Sequence, residues 1–239
     1  MDISGQRVVV IGGTSGIGLA TAQAAAGRGA SVVVVSGRKE SVKRALGDLP
    51  PETTGHAVDV RDPGALAAVF EQIGRFDHLA YTSGEPLTLS PIADLDLATA
   101  RRFFEIRYFG ALAAVHAAAP YVSPTGSITL TGGSASPRPQ AGWAVPASIC
   151  GAMEALTREL ALELAPVRVN LVRPGVVESP LWSALGQADR DALFEATAKT
   201  TPVGHTGRVD EIARAYVYCM EQTYATGAIV PVDGGSVLV

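Results

Sequence analysis

Short apolar runs alternate along this chain with longer segments in which apolar residues recur at helical spacing. The runs predict strands at Val8–Ile11, Val32–Ser36, Gly55–Val58, His78–Tyr81, Ser127–Thr131, Val167–Val172 and Ile229–Val232. The intervening segments predict helices near residues 16–28, 39–48, 63–73, 99–119, 143–164 and 209–222. No linker or internal repeat interrupts this alternation. Residues 1–239 are therefore predicted to form a single α/β domain, a doubly wound seven-stranded parallel sheet with helices on both faces.

A glycine-rich turn, Ile11-Gly12-Gly13-Thr14-Ser15-Gly16-Ile17-Gly18, joins the first strand to a helix of small residues. The first backbone N–H groups of a helix lack intrahelical partners, and the helix dipole favours negative charge there. Glycines permit a tight turn, the approach of a pyrophosphate and close packing of helix on strand. The stretch predicts a Rossmann dinucleotide site, with an ordinary strand–helix turn as the alternative. The expected contacts are Gly12, Thr14, Ser15, Gly16, Ile17 and Gly18.

The spacing Gly12-x-x-x-Gly16-x-Gly18 resembles that of the short-chain dehydrogenase/reductase (SDR) family. The resemblance extends from about Gln6 to Gly235, and it implies a Rossmann fold that binds a nicotinamide dinucleotide. After the sixth strand, the sequence is similar to the family's nicotinamide-binding loop at Pro174, Gly175, Val177 and Ser179.

The resemblance also implies a cofactor role for residues after the third and fourth strands. Asp59 and Val60 match the family pair that contacts the adenine, although Asp59 could instead be the N-cap of the next helix. Ser83 and Gly84 are small enough to let the backbone approach the cofactor.

The residues Ser36-Gly37-Arg38-Lys39 end the second strand, where the adenosine ribose is expected. A cofactor with a free 2′-hydroxyl usually meets an Asp or Glu about 20 residues past the glycines, but no carboxylate appears here before Glu40. Two cations lie instead where a 2′-phosphate could pair with a guanidinium. Family members with Arg at the position of Arg38 usually prefer NADP. Ser36, Arg38 and Lys39 are therefore predicted to bind NADP(H); the alternatives are NAD(H) as cofactor and merely solvated charges at a helix start.

The residues that the family uses for catalysis are absent at the matching positions. Ala147-Ser148 and Gly151-Ala152 resemble the family's flanking residues and fix the alignment. In that alignment the positions of the family's Ser, Tyr and Lys hold Gly132, Val145 and Ile149. The position of its Asn, aligned on Gly110, holds Arg107.

These replacements remove the usual source of the proton. Reduction of a carbonyl creates an alkoxide, which the family protonates from a Tyr made acidic by a Lys, while the Ser hydroxyl stabilises the developing charge. Gly132, Val145 and Ile149 can do none of this. Cys150 has no cation beside it in the sequence to lower its thiol pKa. Arg107 is either a surface or interface arginine or, as the speculative catalytic residue, a cation that faces the pocket and holds a carboxylate or phosphate.

The segment 180–207 resembles the family's substrate lid, with an amphipathic helix predicted around Ala188–Lys199. Its residues Trp182, Leu185 and Phe194 either line an apolar pocket or cover the core. The resemblance further implies a homodimer or homotetramer.

Composition narrows the choice of partners. A net charge of −4 and a pI near 5.6 leave no basic surface for nucleic acid or an anionic membrane, and no apolar run approaches the roughly 18 residues of a membrane span. The stretch Met1–Gly5 predicts no signal peptide. Two cysteines predict no disulfide framework and favour a reducing cytoplasm, and four scattered histidines predict no metal site.

Three functions fit these observations. The first is an atypical NADP(H)-linked oxidoreductase that acts on a small carbonyl or anionic substrate. The second is a catalytically inactive, NADP(H)-binding pseudoenzyme that works as a sensor or partner subunit. The third is a non-redox enzyme that reuses the pocket.

Overall fold

The computed structural model describes residues 2–239 and is built around a seven-stranded sheet in which all neighbouring strands are parallel. The strands are β1 (Arg7–Ile11), β2 (Ser31–Ser36), β3 (Thr54–Ala57), β4 (Phe76–Tyr81), β5 (Val122–Thr131), β6 (Arg168–Pro174) and β9 (Ile229–Val232). Their order across the sheet is β3-β2-β1-β4-β5-β6-β9. This confirms the predicted α/β Rossmann fold. Met1, which begins the stretch considered for a signal peptide, lies outside the described residues.

Helices cover both faces of this sheet, because a parallel sheet carries apolar side chains on both sides. In β1, Val8 and Val10 pack with the cluster on one face, whereas Val9 and Ile11 pack with the cluster on the other. The first face is covered by α1 (Gly16–Ala26), α2 (Lys39–Gly47) and α8 (Val209–Glu221). The second face is covered by α3 (Pro63–Ile73), α4 (Leu97–Phe104), α5 (Gly110–Ala118) and α6 (Ala144–Glu163).

The helix predicted near residues 99–119 is interrupted by a wider turn. Asp96 caps the start of α4 by accepting hydrogen bonds from the backbone N–H groups of Ala98 and Thr99. A π-helical turn, Glu105–Phe109, then separates α4 from α5. Such turns are frequent at functional sites, and this one carries Arg107.

The segment after β6 forms a small unit of its own beside the sheet. A short helical turn, Pro180–Trp182, leads to α7 (Gln187–Thr200), which confirms the helix predicted around Ala188–Lys199. None of the α7 residues is fully buried, however, so its apolar side chains do not enter the core. The strands β7 (Val177–Glu178) and β8 (Gly207–Arg208) pair with each other and join the two ends of this segment. No helix within residues 2–239 has the length and apolar character needed to span a bilayer.

Candidate functional site

A cavity of about 890 Å³ lies at the carboxyl ends of the central strands. Its walls come from the turns after β1, β2, β4, β5 and β6, so it includes the crevice where the strand order reverses between β1 and β4. Among the residues predicted to bind the cofactor, all except Lys39 line this cavity. They are Gly12, Thr14, Ser15, Gly16, Ile17, Gly18, Ser36, Arg38, Asp59, Val60, Ser83, Gly84, Pro174, Gly175, Val177 and Ser179.

The glycines of the first turn are required by close packing. Gly12 has a φ of +83°, and a Cβ there would lie 2.7 Å from the backbone nitrogen of Ser83. A Cβ on Gly18 would lie 2.2 Å from the carbonyl oxygen of Gly12, so α1 could not approach the turn with any side chain there. The hydroxyl of Thr14 donates to Ser36 Oγ at 3.0 Å and links the turn to the end of β2.

Positive charge gathers at the end of the cavity that lies beside β2. Arg38 precedes α2 and Arg44 lies in its last turn, and both are exposed side chains on the cavity wall. Arg44 was not predicted as a site residue, although its position on the same short helix as Arg38 was a usable signal. Lys39 begins α2 but is not among the lining residues.

Asp59 is held by an arginine rather than by a helix. Arg61 donates to both carboxylate oxygens of Asp59, with its Nη2 2.6 Å from Oδ2, and this hydrogen bonding lowers the pKa of Asp59. The alternative that Asp59 caps the next helix is wrong, because Asp62 accepts from the backbone N–H of Ala65 and caps α3. Asp59 remains on the cavity wall.

The opposite end of the cavity contains the positions at which the family's catalytic residues were expected. Gly132 follows β5, while Val145 and Ile149 lie on α6, and all three line the cavity. Ile149 is only 5% exposed and belongs to the hydrophobic core. A Cβ on Gly132 would lie 2.7 Å from the side chain of Leu171. This end is therefore walled by packed apolar groups.

The described residues that line the cavity include no lysine or histidine, and Tyr81 is their one tyrosine. Tyr81 is buried in the sheet, and its hydroxyl donates to the carbonyl of Ile106. Burial raises the pKa of the Tyr81 phenol.

Arg107 points into the cavity, so the interpretation of it as a surface arginine is wrong. Its Nε lies 3.6 Å from Oε2 of Glu85, and its Nη2 donates to the backbone carbonyl of Glu85. The guanidinium group also packs against Gly84, where an added Cβ would lie 2.6 Å from the guanidinium carbon and would force Arg107 to shift. Glu85 was not predicted as a site residue, although it follows the small residues after β4, at the edge of the sheet where ligands of this fold bind.

Cys150 lies on α6 near the guanidinium group. The expectation that no cation lies beside Cys150 is wrong, because the charge of Arg107 acts on the thiol and lowers its pKa. Burial is nevertheless the larger effect and raises the pKa of Cys150 to about 11. The thiol is therefore protonated at neutral pH, as expected for a structural cysteine.

Two tryptophans form an apolar part of the wall. Trp182 is 3% exposed, its Nε1 donates to the carbonyl of Val177 at 3.0 Å, and its ring centroid lies 6.2 Å from that of Trp143. Both line the cavity, whereas Leu185 and Phe194 are not among the lining residues. The segment 180–207 thus contributes to the cavity through its first turn rather than through α7.

Comparisons of this chain with a family model, with known proteins and with solved structures agree with one another. A family model described as an SDR-like Rossmann domain matches residues 2–239. The short-chain dehydrogenase/reductase ucsE of Acremonium sp is 36% identical, over 97% of this chain and 95% of that protein. A crystal structure of a small-chain dehydrogenase in complex with NADPH is 34% identical, with a TM-score of 0.88 over 99% of this chain and 100% of the other. The MalC reductase/Diels-Alderase of Malbranchea aurantiaca is 29% identical, with a TM-score of 0.90 over 99% and 98%.

Proposed function

The chain belongs to the short-chain dehydrogenase/reductase family, and from that premise we propose that it is an NADP(H)-dependent oxidoreductase with unusual proton-transfer residues. One observation carries the proposal. The glycine turn, the arginines of α2 and the Glu85–Arg107 pair line one continuous cavity. The dinucleotide site and the ion pair at the proposed substrate site thus line the same cavity.

The residues at the first end fit NADP(H). The open N-terminus of α1 suits a pyrophosphate, since no side chain at Gly12, Gly16 or Gly18 obstructs it. Arg38 and Arg44 supply two guanidinium groups for a 2′-phosphate. The NADPH complex of a protein 34% identical to this chain supports the same choice. When bound, NADPH supplies the hydride for reduction of a carbonyl.

The substrate end favours a neutral compound. The carboxyl group of Glu85 occupies the space beside the guanidinium group of Arg107, so an anionic substrate would have to displace it. Val145, Trp143 and Trp182 surround this space with apolar surface. We therefore assign a small, largely apolar carbonyl compound rather than an anion. The segment 180–207 acts as the substrate lid in this proposal.

The alternative is a pseudoenzyme that binds NADP(H) without turnover. It is supported by the replacement, in the proposed alignment, of the family's Asn, Ser, Tyr and Lys by Arg107, Gly132, Val145 and Ile149. A structurally similar protein is named both a reductase and a Diels-Alderase, which keeps a non-redox reaction in this cavity as a third use. A homodimer or homotetramer and a cytoplasmic location stay predictions.

Thermal unfolding with each cofactor tests the proposal. A ligand at 100-fold above its Kd adds about 2.7 kcal/mol to the free energy of unfolding, so NADPH is expected to raise the Tm more than NADH. Equal shifts would contradict the assignment of Arg38, and no shift with either cofactor would contradict the function. NADPH oxidation with a panel of aldehydes and ketones then separates the oxidoreductase, which turns over, from the pseudoenzyme, which does not.

A further inference from the structure

The proposed reduction requires a proton that the usual residues cannot supply. Apart from arginines, the described residues that line the cavity include four with a titratable side chain: Asp59, Tyr81, Glu85 and Cys150. Arginine stays protonated in proteins and is a poor donor of a full proton. The source of the proton can therefore be sought among these four groups.

Three of the four groups are unsuitable as the proton donor, because each is either ionised in an ion pair or too weak an acid. Asp59 is ion-paired with Arg61, which keeps its pKa low and leaves it ionised. The Tyr81 hydroxyl is used by the carbonyl of Ile106, and burial makes its phenol a weaker acid by raising its pKa. The thiol of Cys150 has a pKa raised to about 11 by burial, so it too is a weak acid at neutral pH.

Glu85 differs from these groups in two respects. Both of its carboxylate oxygens are buried, and neither accepts a hydrogen bond from another described residue. Its nearest cation, Arg107, is 3.6 Å away, which is an ion-pair contact but too long for a hydrogen bond. The carboxyl group is therefore on the cavity wall without a hydrogen bond from any other described residue.

The surroundings of Glu85 make a protonated form accessible. Burial is the largest effect and raises the pKa of the carboxyl group. The charges that face it, Arg107, Arg61 and Arg102, act in the opposite direction and lower that pKa. Burial is the effect that brings a carboxyl group closer to neutral pH, and at Glu85 it outweighs the cations.

We propose that Glu85 is the proton donor for the reduction and that Arg107 is its positioning residue; this rests on the proposed function. The carbonyl carbon of the substrate gains a hydride from NADPH, which leaves as NADP⁺. The carbonyl oxygen gains the carboxyl proton, so the O–H bond of Glu85 breaks as that of the alcohol forms. The carboxylate then regains a proton from water that enters the cavity, which Glu85 lines, when the alcohol leaves.

Arg107 positions the carboxyl group by holding the loop that carries it. Its Nη2 donates to the backbone carbonyl of Glu85, and its guanidinium group packs against the open side of Gly84. A lysine at this position would keep the charge but would lose the planar fork that makes both contacts.

The test compares Glu85→Gln with a matched control, Glu105→Gln. Glu105 lies on the same π-helical turn as Arg107 but is exposed and outside the cavity. Loss of a general acid should lower kcat about 10²–10⁴-fold in Glu85→Gln, whereas Glu105→Gln should leave kcat unchanged. Glu85→Asp, which keeps the acid, should recover part of the rate. In the wild type, kcat should fall as pH rises through the pKa of Glu85, because only the protonated form donates.

A second readout does not depend on turnover. Infrared difference titration of the wild type, without and with NADPH, should show a protonated carboxyl band that persists above the pKa of about 4.3 typical of exposed glutamates. The band should vanish in Glu85→Gln and remain in Glu105→Gln. A band that titrates at or below the usual range would overturn the proposal.

The outcomes separate the two proposals. If NADPH fails to raise the Tm of the wild type, the proposed function fails and Glu85 has no reaction to serve. If NADPH binds and the wild type turns over, but Glu85→Gln retains its kcat, only the assignment of Glu85 is overturned. If NADPH binds without turnover of any carbonyl probe, the oxidoreductase and its acid both fail, and cofactor binding alone stands.

Discussion

The Nε atom of Arg107 lies 3.6 Å from a carboxylate oxygen of Glu85, although the two residues are 22 positions apart in the chain. Glu85 lies in the loop that follows β4, and Arg107 lies on the π-helical turn before α5. Each side chain is 22% exposed, so the pair is neither a solvated surface bridge nor fully desolvated. Removing one partner leaves a poorly solvated charge behind, which costs more than the pair itself contributes.

Arg107→Met should therefore lower the free energy of unfolding by about 1–3 kcal/mol, less than for a fully buried pair because solvent screens the contact. Adding Glu85→Gln should recover part of that loss, since the uncompensated charge is then gone. Urea unfolding of the wild type, both single variants and the double variant measures the coupling. Strictly additive effects would show that the two side chains do not interact.

The joint removal of Arg38 and Arg44 should abolish the preference for NADPH over NADH. A charge-assisted hydrogen bond contributes about 1.5–3 kcal/mol, so Arg38→Ala with Arg44→Ala should weaken NADPH binding at least tenfold and leave NADH binding unchanged. Lys43→Ala is the control, because Lys43 is exposed on the same helix and does not line the cavity. Calorimetric titration measures the affinity for each cofactor. An equal loss of affinity for NADH would contradict a role of the two arginines at the 2′-phosphate.

Gly18→Ala should destabilise the protein by about 1–3 kcal/mol and weaken dinucleotide binding, since its Cβ would lie 2.2 Å from the Gly12 carbonyl oxygen. Gly47→Ala provides the comparison. Gly47 ends α2 and has nothing within 4 Å of an added Cβ, so this change should be neutral or stabilising by about 0.5–1 kcal/mol. Thermal melts with and without NADPH report both effects. Similar melts for the two variants would refute the packing argument.

Introducing the family's lysine at position 149 should destabilise the fold rather than restore carbonyl reduction. Ile149 is 5% exposed in the core, so Ile149→Lys buries an ammonium group at a cost of several kcal/mol. Ser148→Lys, at the exposed neighbouring position on α6, should be tolerated. The variant that combines Gly132→Ser, Val145→Tyr and Ile149→Lys should accordingly unfold at lower urea than the wild type. A stable triple variant that gains carbonyl reduction would show that only the acid was missing.

Stability should decrease between about pH 6.5 and pH 4 through His78. Burial lowers its pKa from 6.5 to about 4, and its ring contacts Ser127 Oγ at 2.8 Å and Gln6 Oε1 at 2.6 Å. Between these pH values His78 is protonated in the unfolded chain but not in the folded chain, so a lower pH favours unfolding. The free energy of unfolding should fall by about 3 kcal/mol in total once the pH is below the pKa of the folded state. His78→Asn should flatten this part of the pH profile in urea unfolding. His116→Gln, at an exposed position, should leave the profile as it is.

Much of the fold could be predicted because it depends on local patterns. The valines of β1 and β2 and the glycines between β1 and α1 encode strand, turn and helix within a few residues of one another. The exception was the segment 99–119, where helical spacing continues through Glu105–Phe109 although the backbone widens into a π-helical turn. Periodicity cannot distinguish the two, since both continue a helix.

The amino-acid sequence by itself determined the nucleotide half of this protein. Gly12, Gly16 and Gly18 must be glycines for reasons that the turn and the adjoining helix supply, and Arg38 follows its strand directly. Only the tertiary structure decided the substrate half. In the folded chain, Arg107 points into the cavity and lies beside Glu85. Asp59 pairs with Arg61 and does not cap α3. The physical reason is the separation along the chain of the residues that interact. Backbone conformation depends on neighbours in the sequence, whereas the burial and charge environment of a side chain depend on distant residues that only folding brings near.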